Sequence, residues 1–302
     1  MIKRLLIFLI LVQVAIMLAL AAGAHHGLGW SWPAGMALGF ACVALARLAI
    51  SANNFLMSWR AGSVTPAAYA LNPLRAARLF LHEFSSSMLT SNWYMLRPIG
   101  LRLQPEARGL PVLLIHGYAC NSGYWLPMSK QLTRAGISHY GIDLEPPGAA
   151  IDDFAPQVHA AVERLRAESG GKQVVIVGHS MGGLVARAYL RKHGDAHIAR
   201  VVTLGTPHHG TALAQFGPGG NAVQMRRGSA WLDLLNASDA DLQRELFCSI
   251  YSVHDNIIAP QDSSALPGAR NVVFGAIGHV ALGRHPEIMR CALDEIERAG
   301  RR

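Results

Sequence analysis

From Leu5 to Ala22 the chain is apolar apart from Gln13, and a second apolar stretch runs from Pro33 to Ala46, extending to Ile50 if Arg47 snorkels. The first stretch is long enough to cross most of a bilayer as a helix. Trp30 and Trp32 lie between the two where a membrane interface would be, so residues 1–50 predict two transmembrane helices in a hairpin. Gly35 and Gly39, four apart, share one helical face and would let the helices pack closely. Two other readings stay open. Lys3 and Arg4, the apolar run and Ala22-Gly23-Ala24 also fit a cleaved signal peptide, which would leave the second stretch as the anchor. The second stretch, short for a span, also fits a buried core helix.

Beyond the hairpin the periodicity changes. Residues 51–108 read as an amphipathic connector followed by the first strands: Leu74, Leu81, Phe84 and Met88 recur at helical spacing within Thr65–Leu89, and Ile99–Leu103 suggests a strand. Residues 109–302 alternate strand and helix. Strands are expected at Pro111–Ile115, Ile137–Leu144, Val174–Val177, Val201–Leu204, Leu246–Val253 and Val272–Ala276. Helices are expected at Phe154–Ser169, capped by Asp152 or Asp153, after the strand ending at Val177, and from Pro286 to Ala299. This alternation predicts an α/β domain with a mainly parallel central sheet and helices on both faces, preceded by the membrane helices. Residues 208–245 break the pattern, with an irregular Gly217-Pro218-Gly219-Gly220 loop and a short helix at Trp231–Leu235; this segment is a lid over the site or a plain surface insertion.

The 302 residues suffice for one large α/β domain plus an accessory segment, and the net charge of +8 comes mainly from scattered arginines. With no zinc-knuckle spacing, aromatic RNA-binding motif or long basic run, nucleic acid is not an expected partner; the arginines read as ordinary solvated surface or, in an anchored protein, as attraction to anionic lipid headgroups. Lys3 and Arg4 precede the hairpin and Arg47, Arg60, Arg75 and Arg78 follow it, while the loop from Ala24 to Trp32 has no lysine or arginine. With both spans retained the positive-inside rule puts both ends, and the α/β domain, on the cytoplasmic side of an inner or plasma membrane, whereas a cleaved signal would leave the domain inside or outside depending on the orientation of the remaining span. Cys42, Cys120, Cys248 and Cys291 show no close pairing and imply no disulfide framework.

Gly178-His179-Ser180-Met181-Gly182 places a Gly-x-Ser-x-Gly pattern where a buried β-branched strand turns sharply into a helix. Glycines two residues either side of Ser180 permit the close passage such a turn needs. A serine nucleophile requires a base within hydrogen-bond reach and a third group to orient that base. His279, after the last strand, is the candidate base, and Asp255, after the strand before it, the candidate acid. Asp262 and His285 are rivals lying deeper in loop or helix-start sequence, and His254 reads as a packing or surface residue. The backbone N–H groups of Met181, at the helix start, and Tyr118, after His116-Gly117, are the candidate oxyanion donors, with His116 bracing that loop.

These segments, together with Leu204-Gly205-Thr206-Pro207-His208-His209-Gly210-Thr211, resemble α/β-hydrolases of the triacylglycerol lipase and esterase type over roughly the last two-thirds of the chain. The Gly-Thr-Pro-His-x-Gly portion is the most discriminating. The resemblance implies serine hydrolysis of carboxylic esters without a cofactor, on a lipid or another apolar ester. Some such lipases hold a structural calcium ion, but no carboxylate cluster here matches that site, and no metal is assigned. The apolar hairpin departs from the pattern of secreted lipases. Acyl transfer to an alcohol other than water, and a non-catalytic membrane-binding module on the same fold, are the alternative functions.

Overall fold

In the computed structural model, which describes residues 1–238 and 244–301, helix α1 (Ile2–Leu28) ends at Gly29, whose φ of 69° is the left-handed conformation that stops a helix. After a two-residue turn Pro33 occupies the first turn of α2 (Trp32–Arg60). Close packing of the pair rests on glycine: a Cβ at Gly35 would come 2.7 Å from the Ala21 carbonyl oxygen, and one at Gly39 2.5 Å from that of Met17. Both helices are long and apolar enough to cross a membrane, with mean hydropathy of 3.0 and 1.8. Their outward faces are bare, Phe8, Leu11, Phe40 and Leu45 each more than 60% exposed.

The boundary expected at residue 50 falls inside α2, which runs unbroken to Arg60. Arg47, whose snorkelling would have extended the second stretch to Ile50, instead reaches across the hairpin, donating from Nε to Gln13 Oε1 at 2.7 Å. The connector helix also begins later than its periodicity suggested. A single 3-10 turn covers Ala67–Tyr69, and α3 (Pro73–Leu89) starts after Asn72, whose side chain accepts from the Arg75 N–H. It runs directly into a π-helical turn at Thr90–Tyr94.

Seven strands follow: β1 (Leu101–Arg102), β2 (Val112–Ile115), β3 (His139–Ile142), β4 (Val174–His179), β5 (Ile198–Leu204), β6 (Phe247–Ser252) and β7 (Arg270–Phe274). Their order in the sheet is β1-β3-β2-β4-β5-β6-β7, parallel throughout except for the antiparallel β1 edge. β1 is shorter than expected because Ile99 buries its side chain against Gly141 instead of extending the ladder. Every residue of β2 and β4 is buried, and alternate side chains feed two separate cores. Leu113, Ile115 and Ile176 pack with α5 (Ala155–Glu168) and α6 (Met181–His193); Val112, Leu114, Val175 and Val177 pack on the opposite face, with α4 (Leu126–Arg134) and the final helix.

Neither aspartate expected to cap α5 does so. Phe154 takes the cap position after a 3-10 turn at Ile151–Phe154. Asp153 instead accepts from the Ala150 N–H, and Asp152 holds Arg191 and the Trp231 indole. The segment after β5 contains α7 (Gly220–Gln224) and α8 (Ala230–Ser238); residues 239–243 of the expected 208–245 insertion lie outside the described residues. The chain closes with α9 (Pro286–Ala299), led by its proline.

Candidate active site

Ser180 sits between β4 and α6 with φ 54° and ψ −124°, a conformation that costs a non-glycine residue about 1–3 kcal/mol and persists only where neighbours enforce it. Here the neighbours are backbone. Ser180 N donates to Leu204 O at 2.9 Å, and Gly183 N donates to Ser180 O at 3.1 Å. A Cβ at Gly178 would lie 2.7 Å from the Gly182 carbonyl carbon, and one at Gly182 would collide with the Ile115 carbonyl. Strand, turn and helix are therefore locked at a distance that only glycine allows.

Asp255 follows β6 and is buried. Its Oδ1 accepts from the N–H groups of Ile257 and Ile258, both at 2.8 Å, which leaves Oδ2 to accept from His279 Nδ1 at 2.7 Å. With Nδ1–H so committed, Nε2 is the basic nitrogen of the ring. Burial pushes the His279 pKa down, but the charge and hydrogen bond of Asp255, with a smaller pull from Glu83, carry it above the ordinary histidine value. His279 N donates to Asn256 Oδ1 at 2.9 Å, so the loop that carries Asp255 also fixes the His279 backbone. Gly205, of the Gly-Thr-Pro-His segment, gives this pair its room: a Cβ there would lie 3.1 Å from Asp255 Oδ2 and 3.3 Å from His279 Nδ1.

Ser180 and His279 open onto one cavity of about 280 Å³, walled largely by apolar groups of Met95, Tyr124, Ile257 and Val280. Among the hydrogen bonds of the described residues none joins Ser180 Oγ to His279, and bonds of this kind often tighten only when a substrate is bound. Tyr118 lines the same cavity, its hydroxyl donating to Pro218 O at 2.7 Å. Among the described residues, the N–H groups of Tyr118 and Met181 donate to no protein acceptor. His116 accepts from Leu144 N at Nε2 and contacts Gly117 O at 2.8 Å through Nδ1, bracing the loop from within.

The rivals lie elsewhere. Asp262 is exposed in a 3-10 turn, and its N–H donates to Ser63 Oγ. His285 precedes α9 and packs edge-on against His82. His254 Nδ1 accepts from Ala276 N, a loop contact.

Three participants escaped the sequence reading. His179 is buried, stacks on Tyr124 with ring centroids 4.2 Å apart, and contacts His279 O at 3.1 Å through Nε2; burial holds its pKa well below the ordinary value, so the ring is neutral. Ser58, near the end of α2, donates to the Asp255 carbonyl at 2.7 Å. Glu83, on α3, accepts from the N–H groups of Val280 at 2.8 Å and Ala281 at 3.0 Å, immediately after His279. Burial raises the Glu83 pKa to about 7 despite those two bonds. Its one local signal is placement on the buried face of α3, between Leu79 and Ser86.

A family model for the α/β hydrolase fold matches residues 111–229. A triacylglycerol lipase of Pseudarthrobacter phenanthrenivorans is 34% identical over 116 residues, 35% of each chain. One from Vibrio cholerae is 30% identical over 151 residues, 45% of this chain and 48% of the relative. The chain thus spans about a third to a half of the length of these curated relatives. The crystal structure of a Bacillus licheniformis lipase in mature form superposes with a TM-score of 0.55 at 18% identity, covering 65% of this chain and 94% of that one. The parallel sheet, the strained serine at the β4–α6 turn and these matches give the chain the α/β hydrolase fold and a resemblance to the lipase and esterase type.

Proposed function

We propose that the chain is a membrane-anchored serine hydrolase that cleaves carboxylic esters of lipids or other apolar alcohols through an acyl-enzyme on Ser180. The observation that carries this reading is the buried 2.7 Å Asp255–His279 pair opening onto the same apolar cavity as a serine held at positive φ. Ser180 Oγ attacks the ester carbonyl carbon as its proton passes to His279 Nε2. Collapse of the tetrahedral intermediate breaks the carbonyl–alkoxy bond, and His279 returns the proton to the leaving alcohol. Water then attacks the acyl-enzyme by the same route, releasing the acid and restoring the serine. The Tyr118 and Met181 N–H groups receive the oxyanion, a contribution of about 2.7–4 kcal/mol for each such donor. Asp255 stabilises the imidazolium that forms at each proton transfer.

Anchoring is supported by the hairpin's bare apolar faces and by the 2.7 Å contact that joins α2 to the acid's loop. The basic residues outside the hairpin favour a cytoplasmic catalytic domain. The test is fluorophosphonate labelling and p-nitrophenyl butyrate hydrolysis by the full-length protein in detergent. Both are expected in the parent and absent in Ser180→Ala. Folded parent protein that neither labels nor hydrolyses would instead mark a non-catalytic binding module.

A further inference from the structure

A second cavity, of about 530 Å³, lies between the hairpin and α3, and it shares the walls formed by Ser87 and Ser91 with the cavity of Ser180. The π-helical turn that follows α3 contributes to this partition: Ser91 lies within it, and π turns of this kind recur at functional sites. Most of the second cavity's lining is apolar, including Ile16, Val43, Ile50 and Met88, yet Arg47 projects into it.

Among the described residues the charge of Arg47 has no counter-ion. Its guanidinium donates to Gln13 Oε1, Met88 Sδ, Ser91 Oγ and Asn92 Oδ1, all neutral acceptors. It forms no ion pair among the described residues, and the first acidic residue in the entire sequence is Glu83. An arginine set midway along an apolar helix is costly unless an anion completes it, and its planar fork suits oxygen-rich anions.

Resting on the hydrolase reading above, we infer that this groove receives the phosphate of a glycerophospholipid on Arg47 while one of that lipid's acyl esters reaches Ser180 past Ser87 and Ser91. The separation of anion and ester selects the ligand class. A fatty acid's carboxylate is created at Ser180, not one cavity away, so the group at Arg47 belongs to the part of the substrate that leaves. A phosphate joined to an acylated glycerol has this arrangement, and its alkyl chains match the apolar walls.

The experiment compares hydrolysis of dioleoyl phosphatidylglycerol and dioleoylglycerol, which carry the same esters with and without phosphate, by the full-length protein in mixed micelles. The parent is expected to favour the phospholipid, and Arg47→Gln to lower the ratio of the two kcat/KM values by at least about tenfold. A parent that favours dioleoylglycerol, or an unchanged ratio in the variant, overturns the inference. A measurement on the parent alone guards against misfolding of the variant: inhibition of p-nitrophenyl butyrate hydrolysis by dodecyl phosphate, dodecanol and inorganic phosphate. Dodecyl phosphate is expected to act at concentrations at least tenfold below both others. Equal potency of dodecanol would mean a groove that reads only the chain, and equal potency of inorganic phosphate a soluble-anion site; either overturns the assignment. Parent protein that fails to label with fluorophosphonate defeats the hydrolase reading itself, whereas labelled protein with an unchanged ratio defeats only the phospholipid.

Discussion

Replacing Glu83 by glutamine separates the two things this carboxylate does. In the folded protein its pKa stands near 7 against an ordinary 4.5, which at about 1.36 kcal/mol per pH unit disfavours the buried anion by about 3 kcal/mol. The folded chain therefore holds a proton that the unfolded chain releases near pH 4.5. Stability from this group declines as pH rises from 4.5 to about 7 and is flat above that. Glutamine cannot ionise, so it removes that decline, but its single carbonyl oxygen can serve only one of the Val280 and Ala281 N–H groups, at a cost of about 1–3 kcal/mol. Glu83→Gln is accordingly less stable than the parent at pH 5, and at pH 8.5 the gap closes by about 2 kcal/mol, or about 4–8 °C in thermal unfolding. Activity moves differently. With the turn after His279 half released, kcat is expected to fall about tenfold to a hundredfold even at pH 8.5, where stability is matched. The acidic limb of the pH profile should also shift to lower pH, since Glu83 is one of the groups that raise His279. Thermal unfolding and p-nitrophenyl butyrate kinetics in detergent at both pH values measure all of this. Stability curves that run parallel to the parent's, with unchanged kcat, would refute the reasoning.

In Asp255→Asn, kcat should fall about 10⁴-fold and the limb governed by His279 should move to lower pH, while Asp262→Asn stays near the parent; a larger loss in the latter reverses the assignment of the acid. Parent kcat/KM should fall with acid through a pKa above the ordinary histidine value of about 6.5, because the base must be neutral to accept the serine proton; a limb below that value contradicts the pull of Asp255. Gly205→Ala, whose Cβ would lie 2.6 Å from Leu282 Cδ1 as well as crowding the Asp255–His279 pair, should cut kcat by at least about tenfold, checked by steady-state kinetics on protein of confirmed fold. Gly39→Leu should part α1 from α2, seen as slower-migrating or aggregated protein on size exclusion in detergent; unaltered elution together with unaltered thermal unfolding would argue against close packing there.

What could be read from the sequence is what is local. The turn around Ser180 is announced by glycines two residues away, and Asp255 and His279 each follow a recognisable strand, so their meeting at one end of the sheet needs only a parallel topology. The proline before α9 marks its start in the same way. Glu83 was not legible because its partners lie 197 and 198 residues away and its own helix shows only an amphipathic stripe. The contacts of Arg47 were hidden for a related reason. A cation near the end of an apolar run favours snorkelling by default, and only the packing of α1 on α2 brings Gln13 within reach. The cap of α5 failed on competition, since Asp152 is drawn off by Arg191 and Trp231.

The unbroken course of α2 makes it a depth gauge. Ser58, which holds the Asp255 carbonyl, follows Trp32 by 26 residues on one helix, about 39 Å when upright at 1.5 Å per residue. If the hairpin crosses a membrane as proposed, with the tip tryptophans at the far interface, this length exceeds a hydrocarbon core about 30 Å thick, so one rigid helix sets the height of the Asp255 loop over the bilayer. Bilayer thickness would then become a determinant of rate, since a membrane of different thickness changes the height at which the cleft meets it.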